Sequence, residues 1–292
     1  MASENKCLAE WFGRGELLDT THGKLFVRVT GEGEPLLLLH GFPTASWDWH
    51  RLVCDLETRF AVFAVDMLGY GFSEKPDDVD YSTPLQAQLL QQVMRAKGIQ
   101  SAHIMAFSYG VSVAQELLWQ AQRGDSRFAI KSLCFLNGGL FPESNHPRLS
   151  QKLLLSRWGW LFRHLLSKRS LEKNLSAIFA EQTQPAAELI DQYWDLLNHN
   201  NGRRILPKLI QYLGERKTLA HNWERALIEA EQPIQLIFGE DDGLSGPAVV
   251  EEFRSKVGSP YIDTLEGIGH YPQLESPQKV IDRYFAFVDA EC

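Results

Sequence analysis

The sequence lacks the features that mark several large classes of protein. Its four cysteines, Cys7, Cys54, Cys134 and Cys292, are widely spaced and form no C-x-x-C pair. This spacing favours free thiols in a reducing compartment over a disulfide framework or a metal site. Residues 1–10 carry charges and no apolar signal core, and no hydrophobic run is long enough to span a membrane. We therefore expect a cytoplasmic protein without a membrane span.

Positive charge is also scarce. The 292 residues have a formal net charge of -8, whereas binding to nucleic acid needs a concentrated basic surface. This excludes nucleic acid as an expected partner and leaves a small-molecule substrate. The length, with 44% hydrophobic and 23% charged residues, suits one large globular domain or a domain with an insertion. The sequence leaves the oligomeric state open.

Short apolar runs alternate with helical periodicity along most of the chain. The pattern predicts a hairpin at 16–19 and 25–30, further strands at 36–39, 61–65, 102–107, 130–136, 233–238 and 261–265, and helices at 46–58, 83–97, 247–257 and 277–288. Buried strands that alternate with helices form parallel sheets through right-handed crossovers. We therefore expect an α/β fold, with a mostly parallel eight-stranded sheet and helices on both faces.

The alternation is interrupted between residues 141 and 229, where helical patterns rich in aromatic residues contain no strand pattern. This predicts a helical cap at 141–229, inserted between two parts of one core at 1–140 and 230–292. Substrate pockets are mostly apolar. We accordingly expect five aromatic residues of the core and the cap to contact substrate: Phe42, Tyr109, Trp158, Tyr193 and Trp194.

A single serine separates the strand at 102–107 from a helical pattern. A nucleophile at such a turn needs small neighbours, because the strand and helix backbones nearly touch, and Ala106 and Gly110 flank Ser108 at minus two and plus two. This pattern predicts that Ser108 is a catalytic nucleophile. The alternative interpretation is that its side chain merely caps the following helix.

A serine nucleophile needs a base and an acid that orients the base, and both candidates follow predicted strands. His270 lies in a glycine-rich loop after 261–265, and three consecutive acids follow 233–238. Loops at the carboxyl ends of parallel strands gather at one edge of the sheet. Asp242 has the expected spacing from Gly239, which favours it over Asp241 as the orienting acid without excluding Asp241.

Acyl transfer also requires hydrogen-bond donors for a developing oxyanion. The strand at 36–39 ends in a glycine turn, so the backbone N–H groups of Phe42 and Tyr109 are our candidate donors. His40 directly follows the same strand and Asp66 follows the strand at 61–65, and we interpret both as residues that fix their loops. This chemistry needs no metal and no organic cofactor.

In their order, these motifs resemble the α/β-hydrolase superfamily over nearly the whole chain. Within it, the motif at 40–43 resembles the branch of epoxide hydrolases and haloalkane dehalogenases. The segments at 130–134, 137–143 and 270–275 are similar to the mesoderm-specific transcript proteins. The resemblance implies the fold, the helical cap and a hydrolase activity.

The resemblance also draws attention to position 108. The epoxide hydrolase branch characteristically places aspartate there, which forms an alkyl-enzyme ester, whereas serine forms an acyl-enzyme from an ester. Ser108 therefore disfavours epoxide hydrolysis and dehalogenation. The sequence predicts a serine hydrolase, a carboxylesterase for small or medium apolar esters, thioesters or lactones. A carbon-carbon bond hydrolase with the same triad and a non-catalytic ligand receptor on this fold are the alternatives.

Overall fold

The computed structural model describes residues 4–126, 128–141, 154–155 and 166–291. Eight strands form one sheet: β1 (Gly15–Thr20), β2 (Gly23–Thr30), β3 (Glu34–Leu39), β4 (Phe60–Val65), β5 (Ser101–Phe107), β6 (Ala129–Leu136), β7 (Ile234–Gly239) and β8 (Ile262–Leu265). Their spatial order is β1-β2-β4-β3-β5-β6-β7-β8. The pairs from β4 to β8 are parallel, and β2 runs antiparallel to both of its neighbours. The predicted sheet is confirmed.

Helices connect the strands and cover both faces of the sheet. In the core these are α1 (Glu4–Gly13), α2 (Val53–Leu56), α3 (Thr83–Ala96) and α4 (Tyr109–Gln122), and after β7 they are α10 (Ala248–Lys256), α11 (Pro272–Glu275) and α12 (Pro277–Glu291). Strands such as β5 and β7 are buried along almost their whole length. Because each face of the sheet packs against helices, two apolar clusters form, one on each side.

Between β6 and β7 the chain forms helices without contributing a described strand. They are α5 (Lys168–Ser176), α6 (Ala187–Asn198), α7 (Leu206–Leu209), α8 (Tyr212–Thr218) and α9 (Ala220–Ile228). We call the described segment 166–228 the inserted helices. Their apolar side chains join both clusters of the core, with Leu175 and Ile190 on one side and Leu209 and Leu227 on the other.

The predicted helix at 46–58 differs from the structure. The chain forms a short 3₁₀ helix at Ser46–Trp49 and then the single turn of α2. The side chain of Asp48 points inward within the 3₁₀ helix and accepts a hydrogen bond from the preceding loop, at Gly41 N. A polar side chain that bonds nearby backbone competes with regular helix formation, which accounts for the break. Helix α1 was not predicted, because its apolar positions are few.

Within the described ranges, no helix has the length and apolar character required to cross a membrane.

Candidate active site

The turn from β5 into α4 holds Ser108 in a conformation that few residues adopt. Its φ of 53° and ψ of -108° lie outside the ordinary helix and strand regions. A Cβ on Gly110 would lie 2.3 Å from the carbonyl oxygen of Leu39 in β3, so the position requires glycine. The Ser108 side chain makes no hydrogen bond that caps α4. The helix-cap interpretation therefore fails, and the serine hydroxyl is available for other partners.

The hydroxyl of Ser108 lies at one end of a chain of hydrogen bonds. His270 Nε2 is 3.1 Å from Ser108 Oγ, and His270 Nδ1 is 2.9 Å from Asp242 Oδ2. The three residues are nearly buried. Asp241 is exposed and Asp242 is buried, so the structure brings Asp242 to the histidine. With its proton on Nδ1, the imidazole leaves Nε2 free to accept a proton from the serine.

Asn137, directly after β6, holds the carboxylate of Asp242 in place. Its Nδ2 donates to Asp242 Oδ2 over 3.0 Å, and its Oδ1 accepts from the N–H of Gly239 over 2.8 Å. The second carboxylate oxygen of Asp242 accepts from the N–H of Leu244. Burial alone would raise the pKa of Asp242, but the charge of His270 and these hydrogen bonds lower it. The carboxylate therefore stays ionised and can stabilise a protonated His270.

The loop that carries His270 is anchored by the carboxylate of Glu275. Its Oε1 accepts from the N–H of Tyr271, and its Oε2 accepts from the N–H of Gly269, so both neighbours of the histidine are held. Oε2 also accepts hydrogen bonds from Ala180 N and Thr183 Oγ1 in the inserted helices. The carboxylate of Glu275 thus links the loop of His270 to the inserted helices by hydrogen bonds.

The loop after β3 passes close to Ser108. A Cβ on Gly41 would lie 3.1 Å from Ser108 Cβ and 2.8 Å from the ring of Phe107. His40 Nδ1 is 2.8 Å from Gly41 O, and its Nε2 accepts from Met67 N, as expected for a residue that fixes its loop. Among the described residues, none accepts a hydrogen bond from the backbone N–H of Phe42 or of Tyr109.

Asp66, the other residue expected to fix a loop, accepts hydrogen bonds from Ser46 N and Phe72 N.

A cavity of about 100 Å³ opens onto Ser108 and His270. Its wall is mainly apolar and combines side chains of the core and of the inserted helices. They include Phe42, Leu171, Leu175, Ile178, Leu206 and Tyr271, with Asn174 as a polar member. In the part of the chain described here, no group of three or more His, Cys, Asp or Glu side chains could hold a metal ion.

Of the aromatic residues expected to contact substrate, Phe42 lines this cavity. Tyr109 packs its ring against Tyr212, with the ring centroids 4.4 Å apart. Tyr193 is buried and donates its hydroxyl to Asp48 Oδ1. Trp194 stacks against Arg203. Tyr109, Tyr193 and Trp194 are not among the described residues that line this cavity, and their contact with substrate stays a prediction.

The remaining expected contact, Trp158, lies outside the described residues.

Arg216 contacts the turn that carries Ser108, although the sequence did not indicate it as a residue of the site. Its guanidinium is buried, donating from Nη2 to Ser108 O over 3.2 Å and from Nε to Ser112 Oγ over 2.8 Å. It also stacks on the ring of Tyr212. Burial lowers the pKa of Arg216. In the sequence it lies in an amphipathic helix and cannot be distinguished from exposed arginines.

The fold and this site together define the class of the protein. Residues 34–277 match the family model described as the alpha/beta hydrolase fold. A crystal structure of a variant of the haloalkane dehalogenase DatA from Agrobacterium tumefaciens superposes with a TM-score of 0.80 at 21% identity, covering 94% of this chain and 96% of that one. The chain belongs to the α/β-hydrolase fold family, which is a family of hydrolases.

Two relatives are more similar in sequence. The mesoderm-specific transcript protein of Mus musculus is 36% identical over 274 residues, covering 90% of this chain and 81% of the relative. LipZ of Mycobacterium tuberculosis is 33% identical over 270 residues, covering 92% of this chain and 93% of the relative. The resemblance to the mesoderm-specific transcript proteins is confirmed.

Proposed function

We propose that this protein is a serine hydrolase that cleaves small apolar esters, thioesters or lactones through an acyl-enzyme on Ser108. The observation that carries the proposal is the chain of hydrogen bonds from Ser108 Oγ through His270 to Asp242, at the end of an apolar cavity. A serine beside a histidine that is itself oriented by a carboxylate is the arrangement that activates a weak hydroxyl nucleophile.

In the proposed reaction, His270 Nε2 takes the proton of Ser108 as Oγ attacks the substrate carbonyl. His270 then donates this proton to the leaving group, and the acyl group remains on Ser108. Water, activated by His270 in the same way, attacks the acyl-enzyme and releases the acid. Asp242 holds the imidazole in the required tautomer and stabilises its positive form. These steps need no metal and no organic cofactor.

The oxyanion of each tetrahedral intermediate needs donors that are already in place. We propose the backbone N–H groups of Phe42 and Tyr109 for this role. The close approach of Gly41 to Ser108 and the absence of described acceptors for both N–H groups support the assignment. Tyr109 N follows the nucleophile directly, at the start of α4, where backbone N–H groups have no partner within the helix.

We propose that residues 141–229 act as a cap over a core of residues 1–140 and 230–292. The contribution of Leu171, Leu175 and Leu206 to the cavity wall supports this division. A cavity of 150 Å³ holds a molecule the size of benzene. A volume of about 100 Å³ therefore favours a short acyl group. We also propose a cytoplasmic location and a small molecule as the binding partner.

The proposal is tested with a fluorophosphonate probe and a panel of p-nitrophenyl esters, thioesters, lactones, epoxides and haloalkanes. We expect the probe to label the wild type, which should hydrolyse short-chain esters. The Ser108→Ala variant should not be labelled and should lose at least about four orders of magnitude in kcat/KM. Asp242→Asn should lose roughly four orders of magnitude, because the histidine is no longer held in the right tautomer.

Asp241→Asn is the matched control, because the same change is made at the exposed neighbouring residue. Its kcat/KM should stay within about twofold of the wild type, as for a surface substitution. Labelling that persists in Ser108→Ala would contradict the proposal. Hydrolysis of epoxides or haloalkanes without hydrolysis of any ester, thioester or lactone would contradict it as well.

A further inference from the structure

The carboxylate of Asp48 is buried beneath the loop that carries the proposed oxyanion donor Phe42. One of its oxygens, Oδ2, accepts a hydrogen bond from the N–H of Gly41 over 3.1 Å and another from the hydroxyl of Thr44 over 2.6 Å. Asp48 itself is fully buried. These two donors lie at the two ends of the loop 41–44, so a single oxygen atom closes the loop around Phe42.

The other oxygen of Asp48 is held by the inserted helices. Tyr193, on α6, donates its hydroxyl to Oδ1 over 2.6 Å. A second contact links the same two elements, because Trp47 Nε1 donates to Gln192 Oε1 over 2.9 Å. The carboxylate therefore cannot rotate without breaking a buried hydrogen bond at one of its oxygens. Breaking such bonds is costly in a buried site.

We propose that Asp48 is a positioning residue that sets the direction of the Phe42 N–H toward Ser108, and that Tyr193 orients Asp48. This inference rests on the proposed function, since it concerns the oxyanion of that reaction. A donor contributes to acyl transfer only when it points at the oxyanion of the transition state, and removal of one such donor lowers kcat by roughly 10²–10³. Partial misalignment of the loop 41–44 should therefore lower kcat and leave KM almost unchanged.

The test compares Asp48→Asn and Thr44→Val with the wild type on a short-chain p-nitrophenyl ester. The rate is divided by the concentration of serine that a fluorophosphonate titrates, so that unfolded protein does not lower the kcat obtained. We expect kcat per titrated serine to fall about tenfold or more in Asp48→Asn and several-fold in Thr44→Val, with KM within about twofold. A boronic acid that forms a tetrahedral adduct on the serine should bind more weakly by the same factor as the loss in kcat/KM.

Glu116→Gln is the matched control for Asp48→Asn. Glu116, on α4, is also a buried acid, and its carboxylate accepts hydrogen bonds from Trp223 Nε1 and Gln120 Nε2, both over 2.7 Å. This variant should have a lower melting temperature and an unchanged kcat per titrated serine. If Asp48→Asn yields no folded protein, Thr44→Val decides, because it replaces only a hydroxyl by a methyl group.

The role of Tyr193 has its own pair of variants. Tyr193→Phe and Tyr81→Phe each remove a buried hydroxyl, and that of Tyr81 donates to Pro76 O, outside the loop 41–44. We expect a several-fold loss of kcat per titrated serine in Tyr193→Phe and none in Tyr81→Phe. Equal rates in these two variants would overturn the role given to Tyr193.

Wild-type kcat per titrated serine in both Asp48→Asn and Thr44→Val would overturn the inference, while leaving the hydrolase proposal intact. A wild type that is neither labelled by the probe nor active on any ester would overturn the hydrolase proposal, and with it this inference.

Discussion

Replacement of Glu275 should lower both the free energy of unfolding and kcat. Its carboxylate accepts three hydrogen bonds on Oε2, from Gly269, Ala180 and Thr183, and one on Oε1, from Tyr271. In Glu275→Gln the carbonyl oxygen can serve the three donors, but the NH₂ group then faces the N–H of Tyr271. One hydrogen bond to a charged group is lost, at about 1.5–3 kcal/mol, and the other three lose their charge assistance. Because the side chain is half-buried, we expect a total of about 3 kcal/mol in the free energy of unfolding.

Urea denaturation measures this loss, and kcat per titrated serine measures the effect on the site. We expect kcat to fall about tenfold, because the amide of Tyr271 beside His270 loses its partner and that of Gly269 keeps only a weaker hydrogen bond. Glu229→Gln is the control, since Glu229 is exposed and forms an ion pair with Arg225, one helical turn earlier. That pair should contribute less than about 0.5 kcal/mol. Wild-type stability and kcat in Glu275→Gln would refute the reasoning.

Three further predictions concern residues around the site. Burial raises the pKa of Asp48 to about 6 from its usual 3.8, so the folded protein binds this proton more tightly than the unfolded chain. Burying the charge lowers the free energy of unfolding by about 3 kcal/mol above pH 6, and this loss disappears as the pH falls toward 4. Urea denaturation should therefore show that the wild type becomes less stable relative to Asp48→Asn as the pH rises from 4 to above 6. Gly110→Ala places a Cβ 2.3 Å from Leu39 O, and calorimetry should show a destabilisation on the order of 3 kcal/mol or more. Arg216→Lys cannot keep both hydrogen bonds of the guanidinium, to Ser108 O and to Ser112 Oγ, and thermal unfolding should report a loss of about 2 kcal/mol.

The sequence was sufficient to predict the sheet and to propose Ser108, Asp242 and His270. Buried parallel strands have a strong apolar pattern, and the carboxyl ends of such strands meet at one edge, so residues distant in sequence could be placed together. Asp242 could be favoured over Asp241 from spacing, and its burial against His270 then separated the two.

The residues that support the site could not be predicted in the same way. Asp48 and Tyr193 are 145 positions apart, and Ser108 and Arg216 are 108 positions apart. In each pair, at least one partner lies in a helix whose rotation and tilt periodicity alone does not determine. The prediction that Tyr193 contacts substrate rests on its aromatic ring, whereas a buried hydroxyl also needs a hydrogen-bond partner. The sequence does not show that this partner is Asp48.

These contacts bear on what the inserted helices do. A hydrogen bond connects each part of the proposed machinery to these helices: Arg216 donates to Ser108 O, and the histidine loop donates from His270 N to Ile178 O. The loop 41–44 is connected through Asp48, which accepts from Tyr193. A segment that only shaped the pocket would need none of these bonds. Exchange of the insertion for one from another hydrolase should therefore impair acyl transfer on every substrate, unless the three contacts are transferred with it.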